Sequence, residues 1–415
     1  MKRIVYLFYT LLLCMSVVFL SCKNCKNPDC KCEKGTCTDS CQCGEPNKED
    51  SIEELKVTNA YLYFDNSASM KGYAGDIHNF TDVLTDLVNV YPSTEVLLCS
   101  DDYAPIDKSK GDLIDQVRKV SYGKSSLLTK DIESMIWKVK SGCSIAFLVT
   151  DGILSGTDKD ISNDRDWTLR HVAQLQHDVE KAFRDNPEIA VSVYQFIANF
   201  NGRYICYNNS NQANVNITRY YYVFVVGEKF AVMDFKEKKD KFAHFKPVNQ
   251  LHFIAQHPVT GGVNVKNAKK NGSGIWEYTP QTLKNNDNIL NVTIKDKDFK
   301  DEFSMSEIAE LAERIKVTPE KGVMVDEIVY DEKNQNYLIP IKMFSPKHEV
   351  EIAMDYKMPA WVAASSCDND LYMTTNKKDK KTFLLLNLIT GIQRGKMAGT
   401  DNLYYTTVKF ERVEK

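Results

Sequence analysis

Residues 60–69 read Ala60-Tyr61-Leu62-Tyr63-Phe64-Asp65-Asn66-Ser67-Ala68-Ser69. The first five are a short, unbroken apolar run, suited to a strand buried on both faces. The next five change character at once. Asp65, Ser67 and Ser69 place a carboxylate and two hydroxyls at every second position, where the strand opens into a loop. A second apolar run, Ser144–Thr150, ends in Val149-Thr150-Asp151-Gly152. In an open parallel sheet, ligands bind at the carboxyl ends of the strands. Both polar segments sit at such ends.

The elements between and after these runs alternate. Ile77, Phe80, Leu84, Leu87 and Val88 recur at helical spacing, and Thr94–Cys99 is strand-like. Leu128, Ile132, Met135, Ile136 and Val139 repeat the helical period, as do Leu169, Val172, Leu175, Val179 and Phe183. Ala190–Ala198 and Tyr220–Val226 are further strands. Strand and helix in alternation imply parallel strands with helices on both faces. Asp65, Ser67, Ser69 and Asp151 then offer hard oxygen ligands that suit Mg²⁺ or Mn²⁺ with several waters retained.

On these residues the chain resembles the von Willebrand factor A (integrin I-like) family over about residues 58–235. That family builds a metal-ion-dependent adhesion site on Asp-x-Ser-x-Ser after the first strand. A Thr comes from a second loop, and an Asp-Gly follows the fourth strand. Asp65, Ser67 and Ser69 match the first element, and Asp151 with Gly152 the last. The chain departs from the pattern twice. Ala68 stands where the family usually has Gly, and the Thr position falls in Gly123–Thr129, where Ser126 is the best match and Ser125 and Thr129 are alternatives. The resemblance implies a doubly wound sheet and an ion with one open coordination position, which an acidic group of a partner protein completes. Such sites bind rather than catalyse, so no enzyme activity is expected. Two other readings stand beside this one. Asp65, Ser67 and Ser69 would then only cap the following helix and loop, in a metal-free structural or assembly component of the cell envelope. Alternatively, an enzyme site lies in residues 240–415, although no motif there supports one.

Residues 240–415 read as mainly β. Leu251–Ile254, Ile289–Ile294, Tyr337–Met343 and Val350–Met354 are short strands. Ser304-x-x-Glu307 is a capping box ahead of a helix with Ile308, Leu311 and Ile315 on its apolar face. Thr382–Arg394 reads as a short helix, with a buried strand as the alternative. Met358–Trp361 reads as a turn into a strand, with Trp361 as a core anchor. The segment Ile153–Asp166 lies on the same rim and reads as a solvated polar loop; the alternative is that Asp158, Asp160, Asp164 and Asp166 shape partner choice.

The N-terminus points to export. Lys2 and Arg3 precede an apolar run from Ile4 to Leu20, a signal segment in residues 1–21. The run ends Phe19-Leu20-Ser21-Cys22, which resembles a bacterial lipobox with Cys22 as the lipidated residue; an uncleaved anchor is the alternative. Acyl chains would hold the protein to a membrane at about 0.8 kcal/mol per buried CH₂. Lys23 rather than Asp after Cys22 points to the outer membrane rather than the inner one, by resemblance to lipoprotein sorting. Six of the twelve cysteines, Cys25, Cys30, Cys32, Cys37, Cys41 and Cys43, crowd into residues 22–57. In an oxidising compartment they read as a disulfide-stapled stalk, with a thiolate metal cluster as the alternative. Cys99, Cys143, Cys206 and Cys367 read as buried thiols inside strands.

Composition sets the outer bounds. The 415 residues carry 53 basic and 56 acidic side chains, a net charge of −3. That balance argues against nucleic acid as a partner. Gly123-Lys124-Ser125 lacks the Gly that a phosphate loop needs five residues earlier, where Arg118 stands. Ser121 and Lys124 fit Ser-x-x-Lys, but neither Ser-Asp-Asn nor Lys-Thr-Gly accompanies them. The seven histidines are scattered, and Tyr220, Tyr221 and Tyr222 read as packing residues.

Overall fold

The run Ala60–Phe64 lies in strand β1 (Asn59–Phe64), at the middle of a seven-stranded sheet. The structure is a computed structural model that describes residues 56–414, except 107–112, 123–125, 141, 261, 280–288, 320–321, 345 and 373–379. The signal segment, Cys22 and the six stalk cysteines lie outside the described residues. Among those described, no helix is long and apolar enough to cross a membrane.

The other strands of the sheet are β2 (Thr94–Leu98), β3 (Ala104–Pro105), β4 (Ser144–Thr150), β5 (Ile189–Ile205), β6 (Asn211–Glu228) and β7 (Asn249–Phe253). Their order is β3-β2-β1-β4-β6-β5-β7. β1 pairs in parallel with β2 and β4, and Phe64 faces Leu98 and Val149 across the two ladders. Apolar side chains alternate between two cores. Leu62, Phe64, Phe147 and Val149 face one, and Tyr63, Ala146 and Leu148 the other.

Helices cover both faces. Helix α1 (Asp82–Asn89) and helix α4 (Lys229–Lys239) bury Leu84, Leu87 and Phe235 in the first core. Helix α2 (Leu128–Val139) and helix α3 (Val172–Arg184) bury Ile132, Met135, Leu175 and Val179 in the second. The expected spacing holds for α2, and its face turns inward as a stripe. Ile77 and Leu169, expected on helix faces, are exposed instead.

Parallel pairing stops at β4. β6 runs antiparallel to β4, and β5 and β7 continue in antiparallel pairs. This corrects the expectation of a parallel sheet throughout. β5 and β6 are 17 and 18 residues long, far longer than their apolar cores, and only residues 206–210 separate them. A parallel pair needs a crossover of about a dozen residues or more, so so short a link makes a hairpin. The far half of this hairpin leans over the 3₁₀ turn Ala68–Tyr73. A Cβ on Gly202 would lie 3.0 Å from Gly72 Cα, and the Tyr73 and Phe200 rings meet edge to face at 5.1 Å.

The second half contributes β7 to this sheet and, among the described residues, adds two larger sheets and a two-stranded parallel one, Ser366–Cys367 with Thr382–Phe383. One of the larger two runs Ile315–Pro319, Lys347–Asp355, Asn402–Arg412, Trp276–Tyr278, Lys269–Lys270. The other runs Val323–Val325, Asn336–Met343, Ile289–Lys295, Val263–Lys266, with Val329–Asp331 also paired to Asn336–Met343. Ile352, Val408, Val292 and Ile339, from both sheets, share a core with α3. The molecule is therefore mixed α/β with several sheets. The Ser304–Glu307 capping box forms in both directions, but its helix spans only Met305–Glu310, and Ile315 opens a strand. Trp361 sits half-buried in a short helix, Ala360–Ala364, rather than in a strand.

Residues Leu385–Lys396 form helix α5, which crosses α3 closely. A Cβ on Gly391 would lie 2.7 Å from the Gln176 carbonyl oxygen, and one on Gly395 2.5 Å from that of Glu180. Lys396, at the end of α5, donates to the Pro187 and Ile189 carbonyls at 2.8 Å each. Of the four later cysteines, Cys99 and Cys206 are buried, whereas Cys143 and Cys367 are half-buried; all four are thiols. Only Cys367 lies in a strand, and it is half-buried, while the buried Cys99 and Cys206 lie outside strands, so the expectation of strand-buried thiols is corrected for all four.

Candidate functional site

The carboxyl ends of β1 and β4 are neighbours, which brings Asp65 and Asp151 to one rim. Asp65 is 3% exposed, and its carboxylate organises the surroundings. Oδ1 accepts the Ser67 backbone N–H at 2.9 Å and the Ser126 hydroxyl at 2.8 Å. Oδ2 accepts the Thr150 hydroxyl at 2.8 Å. Ser67 Oγ and Ser69 Oγ lie 3.0 Å apart. Asp151 is 4% exposed; it accepts the Ile153 N–H at 3.2 Å, and the Ser69 hydroxyl bonds to it. Gly152 follows because its position excludes a side chain. Its φ is +74°, and a Cβ would lie 2.7 Å from the Tyr222 ring.

The five expected residues, Asp65, Ser67, Ser69, Ser126 and Asp151, thus form one hydrogen-bonded group. Ser125 lies outside the described residues. Thr129 is buried in the first turn of α2, while Ser126 is the hydroxyl that reaches Asp65. Asn66 fixes the loop from the other side. Its side chain donates to Asp101 Oδ2 and accepts the Ser100 N–H, both at 2.9 Å, which joins the β1 and β2 ends.

Charge is concentrated here. Burial, and then the charge of Asp65, push the Asp151 carboxyl up to about 6 against the pull of Ser69 and Arg219. Burial and Asp65 likewise push Asp131, near the start of α2, up to about 8. One buried cation faces the group. Arg219 on β6 is 1% exposed, lies 4.2 Å from the Tyr204 ring centre and donates to the Lys381 carbonyl at 3.3 Å. Burial disfavours its charge, but Tyr204, Tyr73, Asp151 and Asp370 outweigh that.

A divalent ion fits this donor set. Two buried like charges and three hydroxyls converge, and all the donors are hard oxygens. Asp65 and Asp151 would hold the ion with Ser67, Ser69 and Ser126. Among the described residues, no group of three or more His, Cys, Asp or Glu side chains gathers around a point. Two carboxylates with hydroxyls are a different kind of set.

The acidic segment after Asp151 is more ordered than a polar loop. Thr157 and Asp160 form a reciprocal capping box on the short helix Asp158–Asn163, and Asp164 pairs with Arg170. Those two carboxylates are therefore engaged in local structure.

Three residues that matter here escape sequence reading. Thr150 was visible beside Asp151, but a strand-end Thr carries no signal of its own. Asp131 looks like one more solvated helix charge. Arg219 stands just before the three tyrosines, and a single cation in a strand gives no hint of full burial.

Compared with known protein families, characterised proteins and solved structures, the chain matches none.

Proposed function

We propose that this protein is a membrane-anchored bacterial lipoprotein whose von Willebrand factor A-like region binds a protein partner through a divalent metal ion. The observation that supports this reading is the convergence of Asp65, Ser67, Ser69, Ser126 and Asp151 at the carboxyl ends of two adjacent parallel strands. β4 is the fourth strand of the chain, so Asp151 and Gly152 follow it as the family pattern requires. Mg²⁺ or Mn²⁺ bound there supplies an electrophilic position for a carboxylate of the partner. The chain's own part is to hold the oxygens in place. Asp65 orients Ser67 through its backbone N–H and Ser126 through its hydroxyl, and Thr150 fixes Asp65 itself. Cys22 carries the lipid, and the cell envelope, on its outer membrane, is the proposed location.

A second reading rests on the same hydrogen bonds. Both oxygens of Asp65 are already engaged by protein donors. That arrangement also suits a metal-free scaffold in the envelope.

Titration of the full chain with Mg²⁺ and Mn²⁺, followed by thermal unfolding, separates the two. An ion that binds only the folded state adds about 2.7 kcal/mol of stability at a hundredfold excess over Kd, and Tm rises with it. A saturable shift in the wild type that is absent in Asp65→Ala supports metal-dependent binding. No shift in either leaves the scaffold.

A further inference from the structure

We propose that a cavity beside this rim receives the cationic head of a basic side chain, an ammonium or guanidinium, from the partner that offers its carboxylate to the rim. The inference deepens the metal-dependent reading and rests on it. The cavity is about 220 Å³ in volume, and Cys99, Asp102, Tyr103, Ser126, Lys130 and Asp131 line it. Ser126 belongs to both places, because its hydroxyl donates to Asp65 at 2.8 Å.

Asp131 makes this a site. It is 2% exposed and lines the cavity. Its Oδ1 accepts the Tyr103 hydroxyl at 3.1 Å and the weakly donating Cys99 thiol faces the carboxyl, but its Oδ2 has no partner at hydrogen-bond geometry. A buried acceptor left unpaired is costly, and more so when charged. A donor that enters the cavity removes that cost.

The lining selects the kind of donor. The lining also carries the Asp102 carboxylate and the Ser126 hydroxyl, but Asp102 is exposed and Ser126 already donates to Asp65. Asp131 thus supplies the one buried acceptor left open, too little for a hard divalent ion, which takes about six oxygens or more. An ammonium brings three N–H donors and a guanidinium five, and either would draw the Asp131 carboxyl, which burial and Asp65 hold towards its neutral form, into the charged form that accepts most strongly. Lys130 does not fill the role. Adjacent helix residues point in different directions, and Lys130 is exposed at the lip. Tyr103 and Asp102 are held at φ +62° and +52°, a left-handed corner that brings the phenol to Asp131. The partner motif implied is an acidic and a basic side chain close together.

The test uses the full chain in detergent with Mg²⁺, and two isosteric probes, 4-guanidinobutyrate and the uncharged 4-ureidobutyrate. The guanidino acid should bind wild type about tenfold more tightly, as a charge-assisted contact predicts. The preference should fall to about one in Asp131→Asn. Asp102→Lys, a change at an exposed lip residue that leaves the core intact, should weaken it too. Equal binding of the two probes to wild type, or a preference that survives in Asp131→Asn, overturns the proposal. Mn²⁺ resonance spectra on the same samples report the rim separately. Should no Mn²⁺ bind, the rim reading fails, and ethylguanidinium with chelator present tests the cavity alone. Saturable binding lost in Asp131→Asn sustains it, and absence of saturation overturns it. A second bound Mn²⁺ that disappears in Asp131→Asn also overturns it, in favour of a metal.

Discussion

The Thr150 hydroxyl donates to Asp65 Oδ2 across 2.8 Å and ties together the carboxyl ends of β1 and β4. Both residues are nearly inaccessible to water, so neither group can exchange this bond for a solvent one. Thr150 also accepts the Gly152 N–H at 3.1 Å, so one hydroxyl sets both the Asp65 carboxylate and the Asp151-Gly152 turn.

Thr150→Val should therefore destabilise the fold by about 1–3 kcal/mol, because it keeps the shape and leaves a buried carboxylate oxygen unpaired. Denaturant midpoints would measure this, and Thr150→Ser should recover most of the loss. A Val variant as stable as wild type would show that the bond does little.

The α3–α5 crossing makes a second prediction. Gly391 and Gly395 face the backbone of α3 with no room for a methyl group. Gly391→Ala and Gly395→Ala should each cost about 1–3 kcal/mol through overpacking, despite the higher helix propensity of Ala. Unfolding curves that show a gain in stability would mean that the two helices separate freely.

A pH prediction follows from His257. Its ring is enclosed between two acceptors, with the Leu403 carbonyl 2.9 Å from Nδ1 and Glu302 at 3.0 Å from Nε2. Burial alone would lower the affinity of the ring for a proton, as would Lys396. The charge and hydrogen bond of Glu302, with the Leu403 carbonyl, raise it above the ordinary value. A raised folded-state value means that the contribution is complete below the unfolded value of about 6.5. It is lost as pH rises through the higher, folded value. Urea midpoints should thus fall as pH rises above about 6.5. His257→Gln should flatten that slope. An unchanged slope would assign it to other groups.

Arg219→Met should be among the most damaging single changes, at about 3–5 kcal/mol, because it strands buried carboxylates without their cation. Asp370 is one of them, held by the Tyr204 hydroxyl at 2.8 Å. Soluble yield and thermal unfolding would read this directly, and a stable Met variant would mean that those carboxyls sit there neutral.

What the sequence disclosed, and what it hid, follows from burial pattern. β1 and β4 are short and covered on both faces, so they appear as unbroken apolar runs, and the polar residues at their ends stand out. Ser126 comes from the resemblance instead, as the best match for the Thr position of that family. The outer half of the β5–β6 hairpin has no such mark. Between Asn199 and Thr218 polar residues alternate with Phe200, Tyr204, Val215 and Ile217, a half-exposed pattern that reads as linker. Missing it turned a hairpin into two separate strands and suggested a parallel sheet. Asp131 and Arg219 were illegible because a buried charge differs from a solvated one only in its three-dimensional surroundings.

The hairpin that leans over Ala68–Tyr73 has a consequence for how fast anything can bind. Gly72 and Gly202 touch with no side chain between them, so the loop carrying Ser67 and Ser69 is braced from behind before a ligand arrives. Capture at the rim then needs no loop to fold down, and little ordering entropy remains to slow it. Association should be limited by diffusion and orientation rather than by a closing motion. The braced side is shut, so a visitor enters over Ser126 and the start of α2.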